Sequence, residues 1–447
     1  MIAAMSASKD PEAAALAALR TLKGSGHRAY FVGGCVRDRL RGRTPSDYDL
    51  ATSATPDEVL RLFPGADPRG AAYGVVLVRM AGIDVEIATF RRDLGYLDGR
   101  RPTGVVFTTL EEDARRRDFT INALYEDPDS GEIVDPAGGL ADLRANVLRT
   151  IGDATQRFRE DRLRLLRAAR FAADHDLTIA PDTRAALVAE APALAEVSGE
   201  RQRVELVKLL QSGRGEAGIH LLRDLALLPA ILPEIAALSG VDQPPEFHPE
   251  GDVFIHTAML FRFVNRPSPT LAIGALLHDI GKPRTMTRPD PGQGGRIRFN
   301  GHAEVGAEMA DAVCHRLQLD ATGTRAIVEL VAKHMHFKDL MQARESTLRR
   351  FLRLPRIDEH LAMHRLDCLA AHGDLTIHAF CTERLAALGS EKLRPARLLT
   401  GTDLKALGYP KGPLYKEILA ALEDAQLEDR LATRDDALRF VAEHWPR

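Results

Sequence analysis

Two hydrophobic periods divide the chain. Up to residue 107 short apolar runs alternate with turns, and from residue 153 apolar positions recur every three to four residues. The β-like runs fall at residues 30–32, 48–51, 74–80, 84–90 and 104–107, which predicts a small mixed sheet with flanking helices. Ahead of them, residues 12–23 read as an amphipathic helix closed by Gly24. Gly33-Gly34 breaks the first run and predicts a strand, a tight turn and a helix over residues 35–40. RRDLGYLDGRRP, residues 91–102, reads as a loop beside the active face or as a solvated connection. Residues 110–124 start with acids and continue with arginines, a favourable helix charge order, and Asp135-Pro136-Ala137-Gly138-Gly139 is a turn that ends this region. Residues 153–173 and 182–240 are helical, and Pro244-Pro245 and Pro249 mark a linker. Residues 271–280, LAIGALLHDI, form an apolar helix that Gly281 and Pro283 stop, and the stretch from Leu375 is helical again.

Composition narrows the class. At 447 residues the chain exceeds one ordinary core, which predicts two or more domains. A net charge of -3 argues against a uniformly basic nucleic-acid binder while leaving local basic faces open. Cys35, Cys314, Cys368 and Cys381 form no C-x-x-C pair, as in a reduced intracellular protein. The first residues carry no basic n-region, and no run of about 18 uncharged apolar residues occurs. The expectation is a cytoplasmic chain with no membrane partner.

Candidate chemistry begins at the glycine turn. Gly33 and Gly34 remove the Cβ atoms that would keep a phosphate from the backbone, and Arg37 adds a bidentate cation, although paired glycines after a strand are also simply a turn. In an extended segment Asp47 and Asp49 point to one side and Tyr48 and Leu50 to the other. Two acids so close repel, and a divalent cation relieves the repulsion; a solvated strand end is the plainer reading. Glu86 stands in the apolar alternation of Val85 and Ile87, where facing a metal or water is cheaper than facing a core. Three acids near a glycine turn suit two-metal phosphoryl or nucleotidyl transfer. Arg117, Asp118 and Asn122 recur at helical spacings and could hold a ribose or triphosphate. Asp161, Arg164, Arg167 and Arg170 form a stripe along one helix, either a salt-bridge ladder or an acceptor and donor set able to read a base edge.

In this order GGCVRD, the Asp47 and Asp49 pair, RRDFTINAL, DPAGG with DLRANVLR, and EDRLRLLRAARFAA resemble the class II nucleotidyltransferases, the family of tRNA CCA-adding enzymes and bacterial poly(A) polymerases. The resemblance implies that Asp47 and Asp49 bind catalytic Mg2+, with Glu86 as the third catalytic carboxylate. It implies nucleotide contacts at Gly33, Gly34, Arg37, Arg117 and Asn122, and base reading by Asp161 and Arg164 with Arg167 and Arg170 beside them. Residues 91–102 resemble the family's flexible element associated with switching from C to A addition, which weighs against pure CC addition. Poly(A) polymerases of this type carry a basic G-[RK]-[RK]-F signature where this chain has AAYGVVLVRM, which favours the tRNA enzyme.

A second chemistry follows. His256, His278-Asp279, His302 and His334 resemble the HD phosphohydrolase superfamily, whose ligands hold one or two divalent metals, with Asp367 as candidate last ligand. An acid at the negative end of a helix, as Asp279 is here, calls for a cation.

The expected fold class is α+β: a small mixed β-sheet nucleotidyltransferase head followed by an all-helical neck, HD body and tail. The expected divisions are an N-terminal helix over residues 1–25, the head over 26–149, a neck with the base-recognition helix over 150–245, an HD-type domain over 246–372 and a tail over 373–447. The tail's Arg394, Arg397, Lys405, Lys411 and Lys416 suit RNA phosphates or a plain solvated surface. The expected partners are tRNA, CTP and ATP. A poly(A) polymerase or A-adding enzyme stays open, as does a metal phosphohydrolase with a nucleotide-sensing head, and a non-catalytic RNA binder fits three convergent acids least.

Overall fold

The computed structural model describes residues 10–96, 102–246, 248–289 and 295–446. By contact, the chain divides into two compact units, Met1–Pro233 and Glu234–Arg447. The predicted class holds, with a small mixed sheet in the first unit and helices elsewhere.

The sheet is built from β1 (Ala29–Val32), β2 (Leu50–Thr52), β3 (Val75–Met80), β4 (Ile83–Thr89), a hairpin of β5 (Arg91–Tyr96) and β6 (Pro102–Phe107), then β7 (Tyr125–Glu126) and β8 (Ile133–Val134). The order of the six-stranded sheet is β3-β4-β2-β1-β7-β8, and the β5–β6 hairpin stands outside it. β2 runs parallel to β4, with Leu50 beside Ile87, whereas β1 is antiparallel to β2 and β7. Phe31, Leu50, Ile87 and Phe90 are fully buried, and the helix Pro11–Gly24, capped by the Asp10 side chain, covers part of that layer. The first nine residues of the expected N-terminal helix region lie outside the described residues.

Several local expectations are corrected. Residues 91–96 are a strand: Val105, Val106 and Phe107 are strong β-formers that need a ladder partner, and Arg91 to Tyr96 provide it in register Arg91↔Phe107 to Tyr96↔Pro102. The remainder of that expected loop, residues 97–101, lies outside the described residues. Arg117, Asp118 and Asn122 do not share a helix. The helix Leu110–Arg115 ends before them, because Asp118 folds its side chain onto the Phe119 N–H (2.8 Å), and Thr120–Asn122 forms a separate 3-10 turn. The acid and arginine stripe is also interrupted. Asp161 has extended backbone between the helices Ala154–Glu160 and Leu163–His175 and accepts from the Leu163 N–H at 3.1 Å, so only Arg164, Arg167 and Arg170 ride the second helix. Within residues 150–245 the helices are joined by one two-residue strand, β10 (Thr178–Ile179), parallel to β9 (Val147–Leu148). The helix Leu163–His175 packs against Gly199–Leu210 and Gly215–Asp224.

In the second unit the helix Pro269–Leu277 is buried from Leu271 to Leu277. It packs on Ala321–Lys333 and Ile357–Ala370, and His302–Arg316 packs on the first of these. Residues 241–243 pair back on 251–253 through the Val253 N–H to Val241 carbonyl and Gln243 N–H to Gly251 carbonyl bonds, and these residues belong to this unit. A separate apolar cluster of Leu399, Leu404, Ile418, Leu422 and Val441 organises the last helices.

Gly281 allows the closest approach in this unit, since a Cβ there would lie 2.1 Å from the His302 carbonyl oxygen and 2.7 Å from the Gly306 nitrogen. Gly281→Ala is expected to destabilise the protein by about 1–3 kcal/mol, the scale of overpacking. Denaturant unfolding checks this, and a change within about 0.5 kcal/mol, the range of an ordinary surface substitution, would contradict the packing.

Candidate active site

In the first unit the site grows from the β1 turn and the ends of β2 and β4. Gly33 has φ +75° and its N–H donates to the Leu124 carbonyl, and the helix Gly34–Leu40 starts directly after it. The Val32 N–H donates to the Asp49 carbonyl at 3.0 Å, which keeps the backbone extended up to β2. Tyr48 therefore turns inward, 5.2 Å from the Phe31 ring with its hydroxyl on Glu12, while Asp47 and Asp49 are exposed on the other side. The parallel register carries Glu86 alongside Asp49, and Glu86 too is exposed between buried Val85 and Ile87. The Asp49 carboxyl is pushed up to about 7, by desolvation in the surrounding wall first and then by the Glu86 and Asp47 charges, with Arg117 opposing. A carboxyl that desolvation and two neighbouring acids push upward in this way is one that a divalent cation fits.

The arginines around these acids are held by acids of their own. Arg37 is buried, donates to Asn122 Oδ1 at 2.7 Å and to Asp38 at 3.0 Å, and lies over the Phe171 ring. Asn122 donates in turn to Asp118 at 3.0 Å, and Arg167 closes on the other oxygen of Asp118 at 2.6 and 3.0 Å. Burial penalises the Asp118 charge, yet Arg167 and Asn122 hold its carboxyl well below the usual range. Arg170 pairs with Glu205 at 2.6 Å, and Arg167 also reaches Glu205 at 3.5 Å. Arg117 donates to Asp113 at 3.1 and 3.3 Å and to the Tyr125 hydroxyl at 3.2 Å, and its Nη1 lies 3.5 Å from where a Gly33 Cβ would be. Arg37, Arg117, Asn122 and the glycine turn are thus brought together.

Asp161 and Arg164 are adjacent but do not pair with each other. Asp161 accepts from Arg201 at 2.9 and 3.0 Å, and buried Arg164 donates to Glu160 and to the Arg157 and Arg116 carbonyls, each at 3.0 Å. A cleft of 780 Å³ opens in this unit among Arg92, Glu112, Arg115, Arg116, Arg157 and Glu160.

The second unit gathers the histidines. His278 Nδ1 donates to the Ala275 carbonyl at 2.9 Å, His302 Nδ1 to Phe299 at 2.8 Å and His334 Nδ1 to Val331 at 2.7 Å. A carbonyl only accepts, so each Nδ1 carries the proton and each Nε2 offers a lone pair. His302 Nε2 and His334 Nε2 face each other at 3.1 Å, and buried His278 Nε2 lies 3.1 Å from Asp279 Oδ2. His256, His278 and Asp367 bring ligand atoms within 4.8 Å of one another, as do Asp279, His302 and His334. Opposed lone pairs beside two carboxylates fit divalent metal. His256 lies between Glu250 (2.7 Å) and Asp367 (3.0 Å), and against the effect of burial these two carboxylates raise its ring to about 9. Lys282 reaches Asp279 at 2.7 Å and Gln243 at 2.5 Å, and supplies the cation that an acid at this helix end requires. A cavity of 660 Å³ borders the cluster, with Arg298, Phe299, Phe337 and Lys338 in its wall.

Comparison with known proteins separates the possibilities. The family described as Poly A polymerase head domain matches residues 29–149, Probable RNA and SrmB- binding site of polymerase A matches 176–238, and HD domain matches 252–371. The CCA-adding enzyme of Latilactobacillus sakei is 32% identical over 436 residues, which is 96% of this chain and 97% of that enzyme. The chain belongs to the CCA-adding enzyme family. The CCA-adding enzyme of Geobacillus kaustophilus is 46% identical over 230 residues, 51% of this chain and 56% of that protein, so the match spans about half the length of such relatives. Among solved structures, the Bacillus stearothermophilus CCA-adding enzyme in complex with CTP superposes with a TM-score of 0.65 at 28% identity, covering 97% of this chain and 98% of that one. No helix among the described residues is long and apolar enough to cross a membrane.

Asp113, Arg201, Glu250, Gln243 and Lys282 were not singled out from the sequence. Asp113 precedes Arg116 and Arg117 by three and four residues, and Lys282 follows Asp279 by three, so helical spacing was a usable signal for both. The partners of Arg201 and Glu250 depend on tertiary contacts.

In this CCA-adding family member a carboxyl titrating near 7 must lose its proton before a cation binds, so divalent affinity at the head is expected to fall as pH drops through 7. Mn2+ binding followed by EPR between pH 5 and 8, on wild type and Asp49→Asn, checks this; a pH-independent wild-type affinity would contradict it.

Proposed function

We propose that this chain adds C, C and A from CTP and ATP to the 3' end of tRNA without a nucleic-acid template, working in the cytoplasm. The observation that carries the reading is the convergence of Asp47, Asp49 and Glu86 beside a glycine turn backed by Arg37 and Arg117. That constellation stands on a fold shared with CCA-adding enzymes along almost the whole chain.

In the reaction the terminal ribose hydroxyl of the RNA attacks the nucleotide α-phosphate and pyrophosphate leaves. Asp47 and Asp49 would hold Mg2+, with Glu86 completing the acidic wall. Bound there, Mg2+ makes the hydroxyl easier to deprotonate and offsets the triphosphate charge. The Gly33 turn lets phosphate approach the backbone, and the Nη1 of Arg117 faces that turn. Asp161 and Arg164 supply the acceptor and donors for the base edge, with Arg167 and Arg170 beside them. Since Arg201 and Glu160 engage both in this structure, a base has to share or displace those partners.

The opposed His302 and His334 Nε2 atoms favour a second reading for the other unit: a centre for one or two divalent ions, held by His256, His278, Asp279, His302, His334 and Asp367. Protein stripped with chelator and refilled with Mn2+ is expected to retain metal there and to lose it in His302→Ala/His334→Ala, measured by elemental analysis. Equal metal content in both proteins would refute the centre.

For the head, the purified protein is incubated with Mg2+, CTP, ATP and a tRNA ending before its CCA, and the 3' ends are sequenced. C, C and A are expected, with Asp47→Ala slower by about a thousandfold or more, since a metal-held charge contributes several kcal/mol. Long A tails would move the assignment to a poly(A) polymerase, and A added only to CC ends to an A-adding enzyme. No addition would refute the reading.

A further inference from the structure

Asp113 is the most heavily engaged carboxylate of the first unit, and no role in the proposed reaction has been given to it. It is buried, on the helix Leu110–Arg115, and receives donors from three separate parts of the head. Its Oδ1 accepts from the Arg91 backbone N–H at 3.2 Å and from Arg116 at 2.8 Å, and its Oδ2 accepts from Arg117 at 3.1 and 3.3 Å and from the Tyr125 hydroxyl at 2.7 Å. One oxygen thus meets the first residue of the β5–β6 hairpin, and the other meets the arginine beside the Gly33 turn. Arg117 spends Nε and Nη2 on Asp113 and Tyr125, and its guanidinium lies over the Tyr125 ring at 5.3 Å. Only Nη1 is left to face the turn, with no hydrogen-bond partner among the described residues.

A guanidinium is planar, so fixing two of its three nitrogens fixes the direction of the third. Burial disfavours the Asp113 charge, but the Arg117 and Arg116 guanidiniums outweigh it and hold the carboxyl at about 2, so the anion persists across the working pH range.

We propose that Asp113 is a positioning residue that aims the Nη1 of Arg117 at the phosphates of the incoming nucleotide, while its other oxygen anchors the start of the β5–β6 hairpin. The inference rests on the reading of Arg117 as a nucleotide contact. It makes a specific demand: because phosphates are common to CTP and ATP, loss of the aim weakens both nucleotides alike, and the RNA substrate is unaffected.

The test is a double-mutant cycle on the full chain. Asp113→Asn is expected to raise the KM for CTP and for ATP by a similar factor of about tenfold, the order of one charge-assisted hydrogen bond, with the KM for RNA unchanged. In an Arg117→Ala background the same substitution is expected to change nucleotide KM no further, because the group it positions is gone. A purely structural role predicts a lower kcat in step with lost folded protein, unchanged KM values and a thermal midpoint that accounts for the loss. That outcome overturns the proposal, as does an equal fold-change with and without Arg117. Should Asp113→Asn fail to fold, Tyr125→Phe, which removes one donor from the same oxygen, is run through the same cycle, and additivity there overturns the proposal. If wild type binds neither nucleotide, the functional reading fails; if wild type binds and Asp113→Asn binds equally well, only the positioning role fails.

Discussion

The first unit depends on guanidinium groups taken out of water in pairs with carboxylates. Asp113, Asp118 and Glu205 are all nearly inaccessible, and each is engaged by at least two arginine contacts. A buried charge without a partner is expensive, whereas a paired one that also satisfies its hydrogen bonds is tolerated and becomes directional. The pairing joins elements far apart in sequence. Arg37 reaches Arg167 through Asn122 and Asp118, and Arg167 reaches Arg170 through Glu205, so the glycine turn, the 3-10 turn and two helices form one polar frame. Against this frame Asp47, Asp49 and Glu86 converge with no ion pair among the described residues, and that asymmetry is where external positive charge fits.

The sheet and the acid group were legible because both obey a period of two. Tyr48 and Leu50 inward, Asp47 and Asp49 outward, and Glu86 alternating with Val85 and Ile87 are local facts that a strand imposes on any sequence. The helix ends and the arginine roles were less legible, because a competing local bond decided each. Asp161 looked like the first residue of a helical stripe, yet its side chain accepts from the Leu163 N–H two residues on, so it precedes the helix instead of riding on it. The same effect at Asp118 separated Arg117 from Asn122 along the chain and still left them in one network through folding. Residues 91–96 were misread because a strand's partner is set by what lies across from it, here Val105 to Phe107.

The arginine stripe shows where sequence reasoning stops. Spacing identified Arg164, Arg167 and Arg170 as one face, and it offered two uses for that face, a surface ladder or a base reader. Neither use follows from spacing, because the partners come from elsewhere: Glu160, Asp118 and Glu205. Arg167 and Arg170 are committed to acids that also brace Asn122 and a neighbouring helix. What these two ion pairs do in the structure is hold in place the helix that carries Arg164.

The two units solve opposite electrostatic problems. In the head, the excess is negative and lies on exposed side chains, so protonation of Asp49 relieves it in the absence of a cation. In the second unit, Lys282 already neutralises much of Asp279, and the unresolved feature is an excess of lone pairs: three imidazoles whose Nδ1 protons are all committed to backbone carbonyls. Because backbone carbonyls hold those Nδ1 protons in place, the Nε2 lone pairs are fixed in direction, and an ion that accepts lone pairs is satisfied there without moving the backbone. The head thus presents converging negative charge, whereas the histidine cluster presents directed lone pairs, and that difference separates the two units.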